Sequence, residues 1–484
     1  MLKNILNSYL IFYSPRRFAK LIAYMLQASE YDLKAYLKWF WSTQDFSKVQ
    51  VRKDLNLTRI ARINKTFLAL ICEIQILVGL GLMILYFTGH LMAGWGYGLG
   101  LIIIYPVLWS QLIVVPIFFA RLLIIYPKQK RAINRSAQIF KNFNGLKIAI
   151  VGSYGKTSMK ELLDAVLRTK FKVASTAGNQ NVATSHAVFA NKLQGNEEIL
   201  IIEFGEGQPG DVAKFSKTVL PDRAIITGLS PAHLDKYKTL NKAAEDIFSV
   251  DHYVKHNKIL VNAESSYIKP YCKKTYQLYD RSGTLGWKVG AVQVLNNGLK
   301  FELSKKQQTL KIKSNLLGRH QIGPISAVIA LALELGLEPE PILGALKTFK
   351  PYQHRMEPYQ LNGAYIIDDT YNGNIEGIKA GCDLLRELKA NRKIYITPGL
   401  VDQGPENEAV HLRIGSYIAD AQPDIVILMQ NSVTNFIQKG LEKAHFKGKV
   451  EIIDDPLFFY NNLKEIVAKG DLVLMQNDWP DNYR

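Results

Sequence analysis

Val151-Gly152-Ser153-Tyr154-Gly155-Lys156-Thr157-Ser158 follows the apolar run Lys147-Ile148-Ala149-Ile150-Val151 and precedes an amphipathic helical pattern over Met159–Leu167. A strand, a glycine turn and Lys-Thr-Ser at a helix start together make a phosphate cradle. The glycines let backbone N–H groups approach the phosphates, and the helix N-terminus favours negative charge. Lys156 would neutralise the outer phosphates and the Thr157 hydroxyl would ligate Mg²⁺. The standard spacing needs glycine at position 150, which here is Ile150, so the loop takes the shorter G-x-x-G-K-T-S form. Gly152, Ser153, Gly155, Lys156, Thr157 and Ser158 are therefore expected to bind a nucleoside triphosphate.

From this loop onward, apolar strand-like runs alternate with amphipathic helical stretches, the pattern of an α/β fold with a parallel sheet. Strands are expected at Lys147–Val151, Ile199–Glu203, Arg223–Thr227 and Lys258–Val261, then at Tyr365–Asp368, Lys393–Thr397, Asp424–Met429, Val450–Ile453 and Leu472–Met475. Between the two series, Val292–Glu302 and Thr309–Ser314 read as an antiparallel excursion turning at Asn296-Asn297-Gly298. A length of 484 residues suggests about three domains.

Upstream the composition changes. Phe67–Met92 and Tyr97–Ile125 are apolar stretches joined by Ala93-Gly94-Trp95-Gly96, each longer than the roughly 20 residues that cross a bilayer. Arg52, Lys53, Arg59, Arg62 and Lys65 precede the first, and Arg121, Lys128, Lys130, Arg131 and Arg135 end or follow the second. The bend has no Lys or Arg. The positive-inside rule then places both ends in the cytoplasm, as a hairpin without a cleavable signal peptide. Glu73 and Gln75 put the effective start of the first span near Ile74, and Pro106 and Pro116 should kink the second. Residues 1–65 mix aromatic and basic side chains and fit either a helical segment on the cytoplasmic leaflet or a small helical cap. The formal charge of +18 points to a polyanionic partner. Its concentration before residue 142 favours membrane lipids, and no aromatic–basic interleaving of a nucleic-acid module is present. Cys72, Cys272 and Cys382 lack metal spacing and read as reduced thiols facing the cytosol.

Six segments then occur in order: the phosphate loop; Thr176-Ala177-Gly178-Asn179; Glu203-Phe204-Gly205; Ser230-Pro231-Ala232-His233-Leu234; Gly318-Arg319-His320; and Asp368-Asp369-Thr370-Tyr371-Asn372. Over about residues 147–478 the chain resembles the Mur ligase family. The resemblance implies a central P-loop parallel-sheet ATPase domain over 145–349 and a C-terminal Rossmann-like α/β domain over 350–484. An α-helical membrane-proximal segment (1–65) and two transmembrane helices (66–126) would precede them. It further implies an ATP- and Mg²⁺-dependent ligase, which the apolar hairpin would hold at the bacterial inner membrane with its catalytic domains in the cytoplasm. Such an enzyme activates a peptide carboxylate as an acyl-phosphate for attack by an amine such as D-alanyl-D-alanine, and acts on a UDP- or lipid-linked muramoyl-peptide precursor.

By the same resemblance Lys156, Glu203, His233 and Arg355 are catalytic. Thr157, Glu203 and His233 hold metal, and His320, Arg355, Asp369 and Asn372 join the loop in binding nucleotide. Thr176, Asn179 and Asn181 hold the muramoyl substrate. Four positions depart from the family pattern. Ile247 stands where a carbamylated lysine is usual, and Asp251, one helical turn on, is expected to supply the missing charge. Pro324 replaces an adenine-side asparagine, Val182 a substrate-loop asparagine, and Gln476-Asn477-Asp478 a Lys-Gly-Ser. The UDP-gripping domain of the family is not recognisable at the front. A membrane-tethered polyamide synthase of the poly-γ-glutamate type, and a non-catalytic scaffold recruiting other cell-wall enzymes, are the alternatives.

Overall fold

The computed structural model describes residues 13–29, 31–43, 46, 59–231, 234–265, 267–371, 373–400 and 403–477. It divides into two compact units, 1–130 and 131–484.

The helical stretches Ala61–Phe87, in the first unit, and Trp95–Lys141, which runs past its end, are long and apolar enough to cross a membrane by length and composition. The second apolar stretch does not continue as one regular helix. It breaks at Ile113, resumes over Val114–Ala120 and passes through a π-helical turn at Arg121–Ile125. Pro116 explains the break, since it has no N–H to give to the carbonyl four residues earlier. Helix Pro15–Ala28 exposes its basic side chains and buries Phe18, Ile22 and Leu26 with Leu68, Cys72 and Tyr105 of the long helices. Gln75 is satisfied inside the hairpin: it donates to the Leu101 carbonyl (3.0 Å) and accepts from the Trp109 indole (2.6 Å). Glu73 accepts from Arg16 at 3.2 Å.

The second unit holds two sheets. The first contains β1 (Leu146–Val151), β2 (Val173–Ser175), β3 (Ile199–Glu203), β4 (Arg223–Ile226), β5 (Ile259–Asn262), β6 (Gln277–Asp280), β7 (Gly283–Thr284), β8 (Trp287–Leu295), β9 (Gly298–Lys305) and β10 (Gln308–Ser314). Their order is β10-β9-β8-β7-β6-β5-β4-β1-β3-β2. Strands β1 to β6 pair in parallel, whereas β7 to β10 are antiparallel, so the sheet is mixed rather than wholly parallel. The hairpin β8–β9 closes Leu295 onto Gly298 across Asn296-Asn297. Apolar side chains on both faces of the parallel strands explain their unbroken apolar runs. One face packs on helices Lys156–Leu167 and Ile322–Glu334, the other on helices Ala183–Ala190, Asp211–Val219 and Leu240–Phe248. Each fully buried Leu or Ile there contributes about 1.5–3 kcal/mol.

The second sheet comprises β11 (Glu357–Leu361), β12 (Ala364–Asp369), β13 (Arg392–Thr397), β14 (Ile425–Met429), β15 (Lys449–Ile453) and β16 (Asp471–Gln476). Its order is β11-β12-β16-β13-β14-β15, parallel except for the edge strand β11. Strand β1 lies between β3 and β4, with Ile150 opposite both Glu203 and Ile225. The loops leaving these strands therefore emerge side by side at their carboxyl ends, where open α/β sheets place their ligands.

Candidate active site

The phosphate loop is shaped by contacts that only glycine tolerates. Gly152 has φ +138°, and a Cβ there would lie 2.5 Å from Thr227 Oγ1; Gly155 has φ +73°. The Ser153 amide donates to the Gly228 carbonyl at 2.9 Å, and the Thr227 hydroxyl donates to the carbonyls of Val151 and Tyr154. Lys156, the first helical residue, turns back over the loop. Its ammonium donates to the Gly152 carbonyl and to Glu206 Oε2, the latter at 2.6 Å. Lys156, Thr157, Asn179, Asn181, Glu203, Glu206 and Arg355 line one cavity of about 300 Å³, with Ser153 and Gly155 at its edge.

Glu203 ends β3 almost fully buried. Its amide donates to Thr176 Oγ1 (3.1 Å) and its Oε1 accepts from Asn181 (3.1 Å). Among the described residues its Oε2 has no hydrogen-bond partner, and it lies 3.5 Å from the Lys160 ammonium. An orphaned buried carboxylate oxygen, with the Thr157 hydroxyl on the same cavity wall, is a donor set that suits a hard divalent cation such as Mg²⁺. Beneath it, His186 Nε2 lies 2.8 Å from the Glu203 carbonyl between Phe204 and Phe215; burial drops its pKa to about 4, so the imidazole is neutral.

The second sheet supplies the facing wall. Arg355 stands between His354 and Met356, both held at positive φ. The His354 ring contacts Asp368 at 2.7 Å, and the Met356 amide donates to Asp369 Oδ1 at 3.2 Å. This brace presents the Arg355 guanidinium 4.7 Å above the Tyr371 ring, with its Nε unpartnered. The Tyr371 hydroxyl in turn accepts from Asn179 of the first sheet's loop at 2.6 Å. Asp369 also accepts from Gln476 at 2.8 Å, and burial raises its pKa to about 7. Tyr154, Gly155, Ser158, Asn262, Glu264, His320, Pro324, Arg355 and Asp369 share a second cavity of about 430 Å³. There burial lowers His320 to about 4, and its Nδ1 has no partner.

Lys156, Thr157, Glu203, Arg355, Asp369, His320, Asn179 and Asn181 are thus brought to two cavities that share Tyr154, Gly155, Arg355 and Tyr371. His233 and Asn372 lie outside the described residues. Two expectations are corrected. Asp251 does not reach either cavity: the α-helix ends at Phe248 and Ser249–His252 tightens to 3₁₀ geometry, so the assumed turn is not made. Its carboxylate accepts from Lys273 and from Tyr276 (2.6 Å). Burial works the other way, but these partners hold it below the usual carboxylate range. Ile247 is fully buried in the apolar core. Thr176 is equally buried and lines neither cavity; its hydroxyl accepts from the Glu203 amide, so it braces the strand end.

Sequence reasoning missed Lys160 and Glu206, and met Gln476 only as a departure from the family pattern, not as a partner of Asp369. Lys160 carried a signal, lying one helical turn beyond Lys156 on the same helix face. Glu206, in Glu203-Phe204-Gly205-Glu206-Gly207, carried none, since a carboxylate between glycines reads as an exposed turn.

Residues 150–332 match the Mur ligase middle domain and residues 354–476 the Mur ligase glutamate ligase domain. The UDP-N-acetylmuramoyl-tripeptide–D-alanyl-D-alanine ligase of Bacillus subtilis is 27% identical over 345 residues, covering 68% of this chain and 72% of the relative. That of Escherichia coli is 26% identical over 336 residues, covering 67% and 72%. Among solved structures, the MurF ligase of Thermotoga maritima in complex with ADP superposes with a TM-score of 0.64 at 22% identity, covering 72% of this chain and 80% of that one. MurF from Acinetobacter baumannii superposes at 0.63 and 20% identity, covering 72% and 77%. The chain belongs to the Mur ligase family. It is accordingly an ATP-dependent amide ligase, with ATP and Mg²⁺ as its cofactors.

Proposed function

We propose that this ligase acts in peptidoglycan precursor synthesis at the cytoplasmic face of the cell membrane, joining D-alanyl-D-alanine to a muramoyl tripeptide. The observation that carries the reading is the convergence of Lys156, Glu203 and Arg355, from both sheets, on one cavity. The sequence run Asp368-Asp369-Thr370-Tyr371-Asn372 and the named activity of the relatives support the choice of amine. Two apolar helices flanked by cations support the membrane location.

ATP and Mg²⁺ supply the activated phosphoryl group and the charge neutralisation. The residues around them bind and orient. Lys156 meets the outer phosphates, and Thr157, Glu203 and His233 hold metal. Arg355, preorganised over Tyr371, meets charge developing on the transferred phosphoryl. Asp369 accepts from the ribose hydroxyls, while the neutral His320 offers its free Nδ1 nearby. Asn179 and Asn181 orient the carboxylate-bearing substrate. Its carboxylate oxygen would take the γ-phosphoryl group as ADP departs; the neutral amine would then bond to the acyl carbon, the bond from that carbon to the phosphate oxygen would break, and the amine would lose one proton to solvent as phosphate departs. Residues 145–349 form the nucleotide domain and 350–484 the closing domain.

The test incubates detergent-purified full chain with ATP, Mg²⁺ and UDP-muramoyl peptides against single amino acids and dipeptides, read by mass gain. A product from tripeptide plus D-alanyl-D-alanine is expected. Growth only with glutamate would identify a polyamide synthase, and no product with any pair would leave a scaffold. Recovery of the untreated protein in the soluble fraction of lysed cells would overturn the membrane location.

Asp369 adds a pH signature. Its folded value of about 7 lies above the ordinary 3.8, so the folded protein holds the extra proton between them. Stability contributed by this group is present below pH 3.8 and lost as pH rises through about 7. The carboxylate suited to ribose forms over the same rise. Nucleotide affinity of the wild type is expected to increase between pH 6 and 8 by titration calorimetry, and Asp369→Asn to flatten that increase.

A further inference from the structure

The bridge between Lys156 and Glu206 is nearly dry: the side chains are 11% and 6% exposed, 2.6 Å apart. Glu206 is not a loose surface carboxylate that happens to find a lysine. The Gly205 amide donates to the Asn181 carbonyl at 2.8 Å, and a Cβ at 205 would meet Asn181. Downstream, Tyr237 donates to the Gln208 carbonyl (3.1 Å), and the Gly210 amide donates to the buried Asp246 (3.0 Å). The segment is pinned on both sides of Glu206, which faces the cavity that Glu203 also lines.

That arrangement poses a charge problem once nucleotide arrives. Lys156 has one ammonium, and the phosphates and Glu206 both need it. If Lys156 turns to the phosphates, a pinned and buried carboxylate is left uncompensated beside a polyanion, and burying an unpaired ion is strongly unfavourable. A divalent cation resolves the conflict, and Ile247, directed into the core, offers no ligand for one.

We propose that Glu206 ligates a divalent cation in the nucleotide-bound enzyme, in the cavity it shares with Glu203, and that the Lys156–Glu206 bridge is the form the site takes before nucleotide binds. This rests on the reading of the cavity as the nucleotide site. Lys156 leaves Glu206 for the phosphates as the cation takes its place, so cation and nucleotide enter as coupled partners.

The experiment measures binding of a non-hydrolysable ATP analogue to the full-length protein by titration calorimetry across a Mg²⁺ series. Bound Mn²⁺ is counted in parallel by electron paramagnetic resonance. In Glu206→Gln the Mg²⁺ concentration for half-maximal nucleotide binding is expected to rise about tenfold or more, and the nucleotide complex to retain one Mn²⁺ fewer. Metal-free nucleotide binding should be equal or tighter, because Lys156 is released. Glu206→Asp, which keeps the charge, should fall between the two in its Mg²⁺ midpoint, and it decides the matter should the glutamine variant melt early. A variant that binds nucleotide more tightly with an unmoved Mg²⁺ midpoint and Mn²⁺ count would overturn the proposal, leaving Glu206 as a counter-ion alone. Wild-type protein that binds no nucleotide at any Mg²⁺ concentration would instead overturn the assignment of the cavity.

Discussion

Lys156→Ala is expected to lower ATP-dependent ligation by about 10³-fold, the upper range for removing one preorganised charge donor from a transition state. Two losses act together. The outer phosphates lose their cation, and the Glu206 carboxylate, held 2.6 Å from the ammonium in the unmodified chain, is left buried without a partner. The second loss falls on stability and nucleotide affinity as well as on rate. The pair Lys156→Met with Glu206→Gln separates them. Removing both charges should restore the melting temperature lost in Lys156→Met alone, because no buried ion remains unpaired. It should not restore turnover. Phosphate release and thermal melting measured on the same preparations decide the point, and a Lys156→Ala protein of normal rate would remove the lysine from the chemistry.

Lys160→Ala should be the most destabilising single change near the site, by about 3–5 kcal/mol in chemical denaturation. Its ammonium is fully buried. It donates to the carbonyls of Thr176 (2.6 Å) and Gly178, and lies 3.2 Å from Glu161 and 3.5 Å from Glu203. Truncation leaves those carbonyls and a buried carboxylate without a cation. The contrast on the same helix is Arg168–Asp164, an i,i+4 pair at 2.5 Å with the arginine half exposed. Its loss should cost no more than about 0.5 kcal/mol. Equal effects of the two substitutions would mean that the buried lysine is neutralised by relaxation. Because Lys160 sets the loop bearing Asn179 and one neighbour of Glu203, the surviving folded fraction should also bind Mg²⁺–nucleotide more weakly.

Most of the parallel strands were legible to within a residue or two, because burial on both faces forces continuous apolar runs such as Ile199–Glu203 and Asp424–Met429, whereas the short strands Val173–Ser175 and Gln277–Asp280 were not foreseen. The phosphate loop was legible for a related reason, since its glycines and its lysine answer to backbone geometry and charge that few other uses require. Side chains whose roles depend on neighbours remote in sequence were not. Asp251 failed because a change of helix type after Phe248 is a tertiary outcome, imposed as the chain turns towards Lys273 and Tyr276. Thr176 failed because its hydroxyl serves a strand that begins 23 residues later, at Ile199. Glu206 becomes conspicuous only when the ammonium opposite it is seen. The mixed aromatic and basic composition of residues 1–65 pointed to helix, but not to the apolar contacts that seat Phe18 and Tyr36 with Leu68 and Tyr105.

The hydrogen bond from Asn179 to Tyr371, and cavities walled by both sheets, make occupancy and cohesion a single equilibrium. On the proposed reading of these cavities, a nucleotide held by both lobes would be mortar as well as fuel, worth about 2.7 kcal/mol to their union at a hundred times its dissociation constant. In a cell whose ATP runs low, such an enzyme would loosen at its seam while it slowed, and become easier prey for proteases when its product is least affordable.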